Sequence, residues 1–336
     1  MVLLESFLMD AECELIRKLY VEFEARFSKE LAATDEYWRY KTQGWILTIL
    51  SFFTVVASTV HTVLTWTVYA APLTQNLQHW HNLPSCLTLQ FRILYLIIAI
   101  STFNEFAIVL RINLNEMGER NIQRVFGPYL RGRAFAKGGI IRVAPKTNQP
   151  SEEEDERRLR VYKQFYGDIH NLFKSINEHY GWSILAFMIM YFIYFIVNSY
   201  WVIFSLIIRL PEHNTLIRNL GFLVIVVVLL WVLCWQSQNS HEQSRHIGCI
   251  MFKLVKPLGN KCYNDLVTDF SLQTLHQQYI ITAKEFFSLN LNLLGSMVAS
   301  IVTYLVILIQ FMFAGKNRSN QNPLVHSGNS TVSTLH

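Results

Sequence analysis

The sequence predicts an all-α, polytopic membrane protein with five spans and a helical layer on one side of the bilayer. Three observations carry that prediction. Hydrophobic residues make up 51% of the chain and charged ones only 16%, which is too apolar and too charge-poor for an ordinary soluble protein. Nearly uncharged apolar runs recur at 45–69, 93–112, 182–208, 220–234 and 293–313, most of them long enough to cross hydrocarbon as a helix. Lys and Arg then fall on alternate sides of those runs, as the positive-inside rule requires.

Residues 1–44 precede the first run. Leu15, Leu19 or Tyr20, Phe23, Phe27 and Leu31 recur at helical spacing with charges between them, the pattern of an amphipathic helix. It packs against other helices on its side of the membrane or, in the alternative reading, lies on the bilayer surface. Arg17, Lys18, Arg26, Lys29, Arg39 and Lys41 put this segment in the cytoplasm.

Residues 45–112 hold the first two spans, joined by a loop (71–85) without Lys or Arg. The loop 113–181 is strongly basic, carrying Arg120, Arg124, Arg131, Arg133, Lys137, Arg142, Lys146, Arg157, Arg158, Arg160, Lys163 and Lys174, and is cytoplasmic by the same rule. Its Gly/Pro-rich stretch 127–150 and the acidic run Ser151-Glu152-Glu153-Glu154-Asp155-Glu156 read as a flexible, solvated insert. From Arg157 onward, Leu159, Tyr162, Phe165 or Tyr166, Ile169, Leu172 or Phe173 and Ile176 restore a helical period that runs straight into Trp182 and the third span.

Residues 182–236 contain the third and fourth spans, separated by Leu210-Pro211-Glu212-His213-Asn214-Thr215; proline and polar residues make this a helical hairpin rather than one long kinked helix. Residues 237–291 form a second cytoplasmic helical segment, helical from 252 to 289 and basic at Arg245, Lys253, Lys256, Lys261 and Lys284. The last span, 292–314, leads to an extracellular tail, 315–336. That tail carries the sequons Asn317-Arg318-Ser319 and Asn329-Ser330-Thr331, candidate glycosylation sites on the only side where glycosylation reaches them.

Function classes narrow by what is missing. No nucleophile elbow, phosphate-binding glycine loop or His-Glu-x-x-His is present, so no enzyme activity and no cofactor are expected. His79-Trp80-His81 lacks a third ligand and is not read as a metal site. The net charge of +5 comes from the inner-face cations, and nucleic acid has no place in the account. Of the five cysteines only Cys86 lies outside, so no extracellular disulfide forms within the chain. Residues 1–9 lack the basic start and small-residue cleavage site of a secretory signal, so the first span serves for insertion.

Polar residues in the spans are the chemistry-bearing ones. In the last span Asn292, Ser296, Ser300, Thr303, Ile307 and Gln310 follow at steps of four, four, three, four and three, on one helix face. Such a stripe suits a helix that lines a water-filled pore; the alternative is that Ser and Thr bond their own i−4 carbonyls and allow close helix packing. A glutamine amide in hydrocarbon is costly, so Gln310 tilts the balance toward a pore. In the third span Phe187, Tyr191, Tyr194, Asn198 and Trp201 share a face, and in the first Thr54, Ser58, His61, Thr65 and Tyr69 do. Facing one another they form a mostly apolar ligand cavity with a few polar anchors; apart, they are helix contacts with satisfied hydroxyls.

Thr303-Tyr304, five apolar residues and then Gln310-Phe311 resemble the signature of the insect gustatory receptor family in its last transmembrane helix. The approach to that helix is similar too: Phe270-Ser271-Leu272-Gln273, Leu275-His276-Gln277, Thr282-Ala283 and Phe286-Phe287-Ser288-Leu289-Asn290. Ile176-Asn177-Glu178-His179-Tyr180-Gly181-Trp182 carries a weaker likeness. The resemblance implies an inverted seven-helix insect chemoreceptor in the plasma membrane of sensory neurons, N-terminus cytoplasmic and C-terminus extracellular. It implies a homo- or heterotetramer of gustatory receptor subunits around a cation pore lined by the last helix, with cytoplasmic anchor helices beneath. Gln310 and Phe311 would form the gate with Ile307, Thr303, Tyr304, Ser300 and Ser296 along the pore, and a small-molecule tastant would sit near Tyr191, Tyr194, Asn198, Trp201, His61 and Thr65. Five spans are visible, and the segment before Trp45 corresponds to the link after the family's second helix, so the family's first two helices have no counterpart in this sequence. Rival readings are a non-conducting modulatory subunit, a metabotropic receptor and a transporter; the last two fit the charge pattern and the lack of internal repeats less well.

Overall fold

The computed structural model describes residues 10–31, 82–135, 152–208, 213–254 and 260–321, with six isolated helical positions between 49 and 60. Among the described residues the chain is helical, in the order α1 (Asp10–Leu31), α2 (Asn82–Phe135), α3 (Glu152–Ile208), α4 (His213–Lys253), α5 (Lys261–His276) and α6 (Leu291–Gln321). Four are long and apolar enough to cross a membrane, over Arg92–Arg124, Glu153–Phe204, Leu223–Lys253 and Leu291–Ala314. The chain is therefore a multi-pass membrane protein. The predicted span 45–69, with His61 and Thr65, lies outside the described residues save for those six positions.

The helices α2, α3 and α4 form the body of the bundle, and α1 closes one end of it. Phe23, Phe27 and Leu31, the apolar face read from the sequence, are buried. Phe27 meets Phe106 of α2 at 4.9 Å and Phe165 of α3 at 5.1 Å between ring centroids, and Phe23 meets the same two rings at 5.0 and 5.8 Å, all four edge-on. Each such pair contributes about 0.5–1.5 kcal/mol beyond its area. A second aromatic link, Phe103 to Phe173 at 5.6 Å, continues the seam between α2 and α3.

Two expectations are corrected. The acidic run does not stay solvated: Glu152–Glu156 are the opening turns of α3, because Arg157, Arg158 and Arg160 pair with Glu154 and Glu156 one turn away while Arg124 of α2 reaches the buried Asp155 at 2.7 Å. Nor is 252–289 helical throughout. The helix α5 stops at His276, and residues 277–290 form an extended hairpin with an isolated antiparallel bridge between Thr282 and Ser288.

Buried polar groups inside the bundle pair across helices. Asn104 of α2 donates to the carbonyl and the side-chain oxygen of Gln236 of α4 at 3.1 and 3.2 Å, and Asn121 of α2 donates to the Tyr263 hydroxyl of α5 at 2.9 Å. These bonds fix helix register where apolar packing alone permits sliding.

Candidate functional site

The last helix is nearly uncovered. Of the most apolar stretch in each helix, 67% is buried in α2 and only 6% in α6. The helix leans on the bundle through Leu293, Leu294, Met297 and the buried Ile301, with Tyr304 beside Phe192 at 6.4 Å. The predicted stripe, Asn292, Ser296, Ser300, Thr303, Ile307 and Gln310, is exposed at every position. At 100° per residue it is centred about a third of a turn from the packing face. Phe311 is 71% exposed at the end of the stripe.

Hydrogen bonding within the stripe divides. Ser296, Ser300 and Thr303 donate to the carbonyls of Asn292, Ser296 and Ala299 at 3.1, 3.0 and 3.0 Å, so their hydroxyls are satisfied inside the helix. The Gln310 amide has no partner among the described residues. Leaving an amide unbonded in hydrocarbon costs roughly 2–7 kcal/mol, so this face is built to meet water or another polar surface.

The hairpin before α6 supplies its anchor. The α5 helix is capped by Asn260, whose side-chain oxygen accepts from the Tyr263 amide at 3.0 Å, and ends with the Gln277 amide on the Gln273 carbonyl at 2.8 Å. Tyr279 then enters the core, fully buried, with its ring 4.9 Å from Tyr166 and 5.2 Å from Phe173. Burial holds its phenol well above the ordinary tyrosine range, so it stays neutral and donates to the Tyr166 carbonyl at 3.2 Å. The Tyr166 hydroxyl in turn donates to the Gln277 carbonyl at 2.7 Å and meets Ser244 of α4 at 2.8 Å.

Residues 283–286 make the tight turn, with the Phe286 amide on the Ala283 carbonyl at 3.0 Å and positive φ at both Lys284 (48°) and Glu285 (64°). Two consecutive left-handed residues define the hairpin turn of type I′. Glycine or asparagine is usual there, and neither is present, so tertiary contacts hold the turn. Asn177 of α3 donates to the Ile280 carbonyl at 2.7 Å and accepts from the Thr282 amide at 3.0 Å, acting as a one-residue strand edge. One turn later Gly181 makes room: a Cβ there would lie 2.9 Å from Lys284 Cγ and 3.0 Å from its backbone nitrogen. On the other flank Ser237 of α4 donates to the Leu289 carbonyl at 2.7 Å, and the Leu291 amide donates to Gln238 at 3.2 Å. Asn290 caps α6 by accepting from the Leu293 amide at 2.8 Å.

Of the sequence-derived ligand residues, those described lie on α3, and His61 and Thr65 lie outside the described residues. Tyr191 is buried against Phe187 at 4.3 Å between ring centroids, whereas Tyr194 and Trp201 are exposed and Asn198 bonds the Tyr194 carbonyl of its own helix. Asn317 lies in the final turns of α6, and Asn329 lies outside the described residues, as does His79-Trp80-His81.

A hairpin anchored in the core by Tyr279, Ile281, Ala283 and Leu289 delivers a nearly bare membrane helix, and the residues that build it include those of the sequence signature. The 7tm chemosensory receptor model matches residues 13–314. This chain belongs to that family. Among its curated relatives, gustatory receptor 23a of Drosophila melanogaster is 40% identical over 240 residues, 71% of this chain and 59% of that protein. The fly's gustatory receptor for bitter taste 66a is 25% identical over 185 residues, 53% of this chain and 34% of that protein. The chain thus spans about three fifths or less of the length of these relatives. Among solved structures, the insect olfactory receptor OR5 from Machilis hrabei, determined with eugenol bound, superposes with a TM-score of 0.52 at 13% identity, covering 86% of this chain and 70% of that one. At that identity the likeness is one of fold. The chemoreceptor chain therefore has the insect chemoreceptor architecture, the all-α membrane fold class its sequence predicted.

Of the anchor, only the signature residues on either side of the turn were read from sequence. Asn177 and Gly181 stood in the weaker motif without a role. The signal that could have found them was spacing: a glycine one turn after an asparagine, just before a span, marks a helix face approached closely by other backbone.

Proposed function

We propose that this chemoreceptor chain is a gustatory channel subunit: it assembles with like subunits into a tetramer, N-termini in the cytoplasm of a sensory neuron and C-termini outside, and conducts cations when a small tastant binds. The observation that carries this reading is the exposure of α6 along its whole polar stripe. A helix with an unpaired amide and a row of small polar residues on one face needs a water-filled axis beside it. Closed rotational symmetry supplies one when several copies pack around that face. Phe311 forms the apolar constriction, which blocks ions by excluding water; Gln310, Ile307, Thr303, Tyr304, Ser300 and Ser296 line the path on its cytoplasmic side.

Ligand binding among Tyr191, Tyr194, Asn198 and Trp201, with His61 and Thr65, opens the gate by favouring a packing in which Phe311 leaves the axis. The hairpin gripped by α3 and α4 is the mechanical link, since movement of either helix is passed to α6 through Asn177 and Ser237. A second reading, a non-conducting modulatory subunit, is favoured by the three hydroxyls bonded to their own helix, which ask for no water. The test is recording from cells expressing the chain, alone and with a relative that conducts. Phe311→Ala raises resting current if α6 lines the pore, and unchanged resting and stimulated currents reject the gate. A C-terminal tag reached by antibody on unpermeabilised cells supports the orientation; labelling only after permeabilisation rejects it.

A further inference from the structure

One face of α3 lies along α5 and the hairpin that follows it. Lys163 meets Asp269 at 3.7 Å, a Cβ at Gly167 would lie 2.9 Å from Gln273 Nε2, and Asn177 grips Ile280 and Thr282. His170 sits between these contacts on the same face, one turn after Gly167 and two turns before Asn177. Its ring hydrogen-bonds the Gln278 backbone, a bond that favours the charged ring and so runs from an imidazole N–H to the carbonyl. The Nδ1 atom is buried and has no partner among the described residues, so the donor is Nε2. In the neutral ring Nδ1 holds only a lone pair; in the cation it becomes an N–H with no acceptor.

The surroundings also disfavour the cation. Lys174, one turn on, is the one charge among the described residues that bears on the ring, and it repels. No carboxylate offsets it. Residues 270–283 contain no Asp or Glu, and their one histidine, His276, is exposed. On α4, His241 is half-buried with its own Nδ1 unpartnered, Glu242 is exposed and bonded by Gln238, and Arg245 is exposed. Asp168 is held by Arg26 of α1 at 3.3 Å, and α2 brings the Phe103 ring to Phe173. Burial first, and then Lys174, hold the imidazole below its ordinary value of 6.5. His170 precedes the apolar run 182–208, on the side that meets water.

We propose that His170 is an acid-sensitive latch: neutral, it holds the hairpin to α3 through Gln278, and protonated, it lets the 277–290 segment come away. Released, the ring meets water and titrates near 6.5; seated, it titrates lower. The seated hairpin is therefore fully stable above 6.5 and loses stability as pH falls below 6.5 toward the lowered value. Because this hairpin leads directly into α6, acid on that side of the membrane loosens the footing of the last helix; that current changes with it rests on the channel reading under Proposed function.

Hydrogen–deuterium exchange of the full chain in nanodiscs, read over 277–290 at pH 7.5 and 5.5 and corrected for intrinsic exchange, tests the latch. The amides of Thr282, Ala283 and Leu289, bonded to Asn177, Phe287 and Ile281, report seating. Their protection is expected to fall by up to about tenfold at pH 5.5, the ceiling for one imidazole of ordinary pKa taken a unit below it. His170→Gln, which keeps an amide donor for the Gln278 carbonyl and cannot take up a proton, shows no fall. His246→Gln, at an exposed histidine of α4, falls like the parent. No fall in the parent, or an equal fall in His170→Gln, overturns the proposal. If His170→Gln melts far below the parent at pH 7.5, the exposed Lys174→Gln decides instead: with the repulsion gone its fall is smaller, and one as large as the parent's rejects the latch. Exchange reads seating whether or not the chain conducts, so failure here is distinct from failure of the channel reading.

Discussion

The side-chain amide of Asn177 and the backbone of Thr282 meet as neighbouring strands do, Oδ1 to N at 3.0 Å, with the same side chain bonding the Ile280 carbonyl at 2.7 Å. A single residue of a long helix thereby provides the edge on which a hairpin rests. Replacement by Ala leaves one donor and one acceptor unpaired near the core, each costing about 1–3 kcal/mol. Asn177→Ala therefore lowers the melting temperature of the purified chain and reduces ligand-evoked current at equal surface expression. A variant that melts and conducts like the parent removes the hairpin from the coupling scheme.

Glycine substitutions separate contact from propensity. Gly181→Ala drives a methyl against Lys284 Cγ at 2.9 Å and the Lys284 backbone nitrogen at 3.0 Å and costs about 1–3 kcal/mol through forced displacement. Gly221→Ala meets nothing within 4 Å inside α4 and is neutral or stabilising by up to about 1 kcal/mol. Thermal melts of the two variants in one detergent check the ordering, and a Gly181→Ala melt at or above that of Gly221→Ala contradicts the close approach.

Ion pairs in the first turns of α3 differ in worth. Arg124 reaches Asp155, whose side chain is 5% exposed, whereas Arg157 pairs with Glu154 in water at 62% exposure. Removing one partner of the buried pair is costly, about 3–5 kcal/mol, while a surface pair is worth about 0–1 kcal/mol. Arg124→Gln is thus expected to lower stability far more than Arg157→Gln, as read by denaturation in detergent, and equal effects would show that Asp155 is solvated in the working protein.

Gln310→Leu distinguishes the environments open to the α6 stripe. In a pore the change removes a polar lining group, so conductance or ion selectivity shifts while surface expression holds. Facing lipid, the same change relieves an unbonded amide and raises thermal stability without altering currents. Single-channel recording together with a melt decides between the two.

Particular residues show why parts of this arrangement were legible in the sequence. The burial of Phe23, Phe27 and Leu31 follows from their period, since residues three and four apart share a helix face whatever lies opposite. The stripe on α6 was legible for the same reason. The turn at Lys284 and Glu285 was not, because both residues lack the glycine or asparagine that marks a left-handed pair, and their support comes from Asn177 and Gly181, about a hundred positions earlier. The acidic run 151–156 was misjudged because counting like charges ignores Arg124, which arrives from another helix.

Sequence by itself determined that the chain crosses a membrane, which faces of its helices are apolar, and which family its final helix resembles; these are properties of composition and of neighbours one turn apart. Tertiary structure decided that 277–290 leaves the helix, that Tyr279 is buried between Tyr166 and Phe173, and that α6 stands almost uncovered against the bundle. Those outcomes depend on how distant helices pack, and packing sets which backbone groups find partners. An isolated segment carries its period but not the surface it will meet.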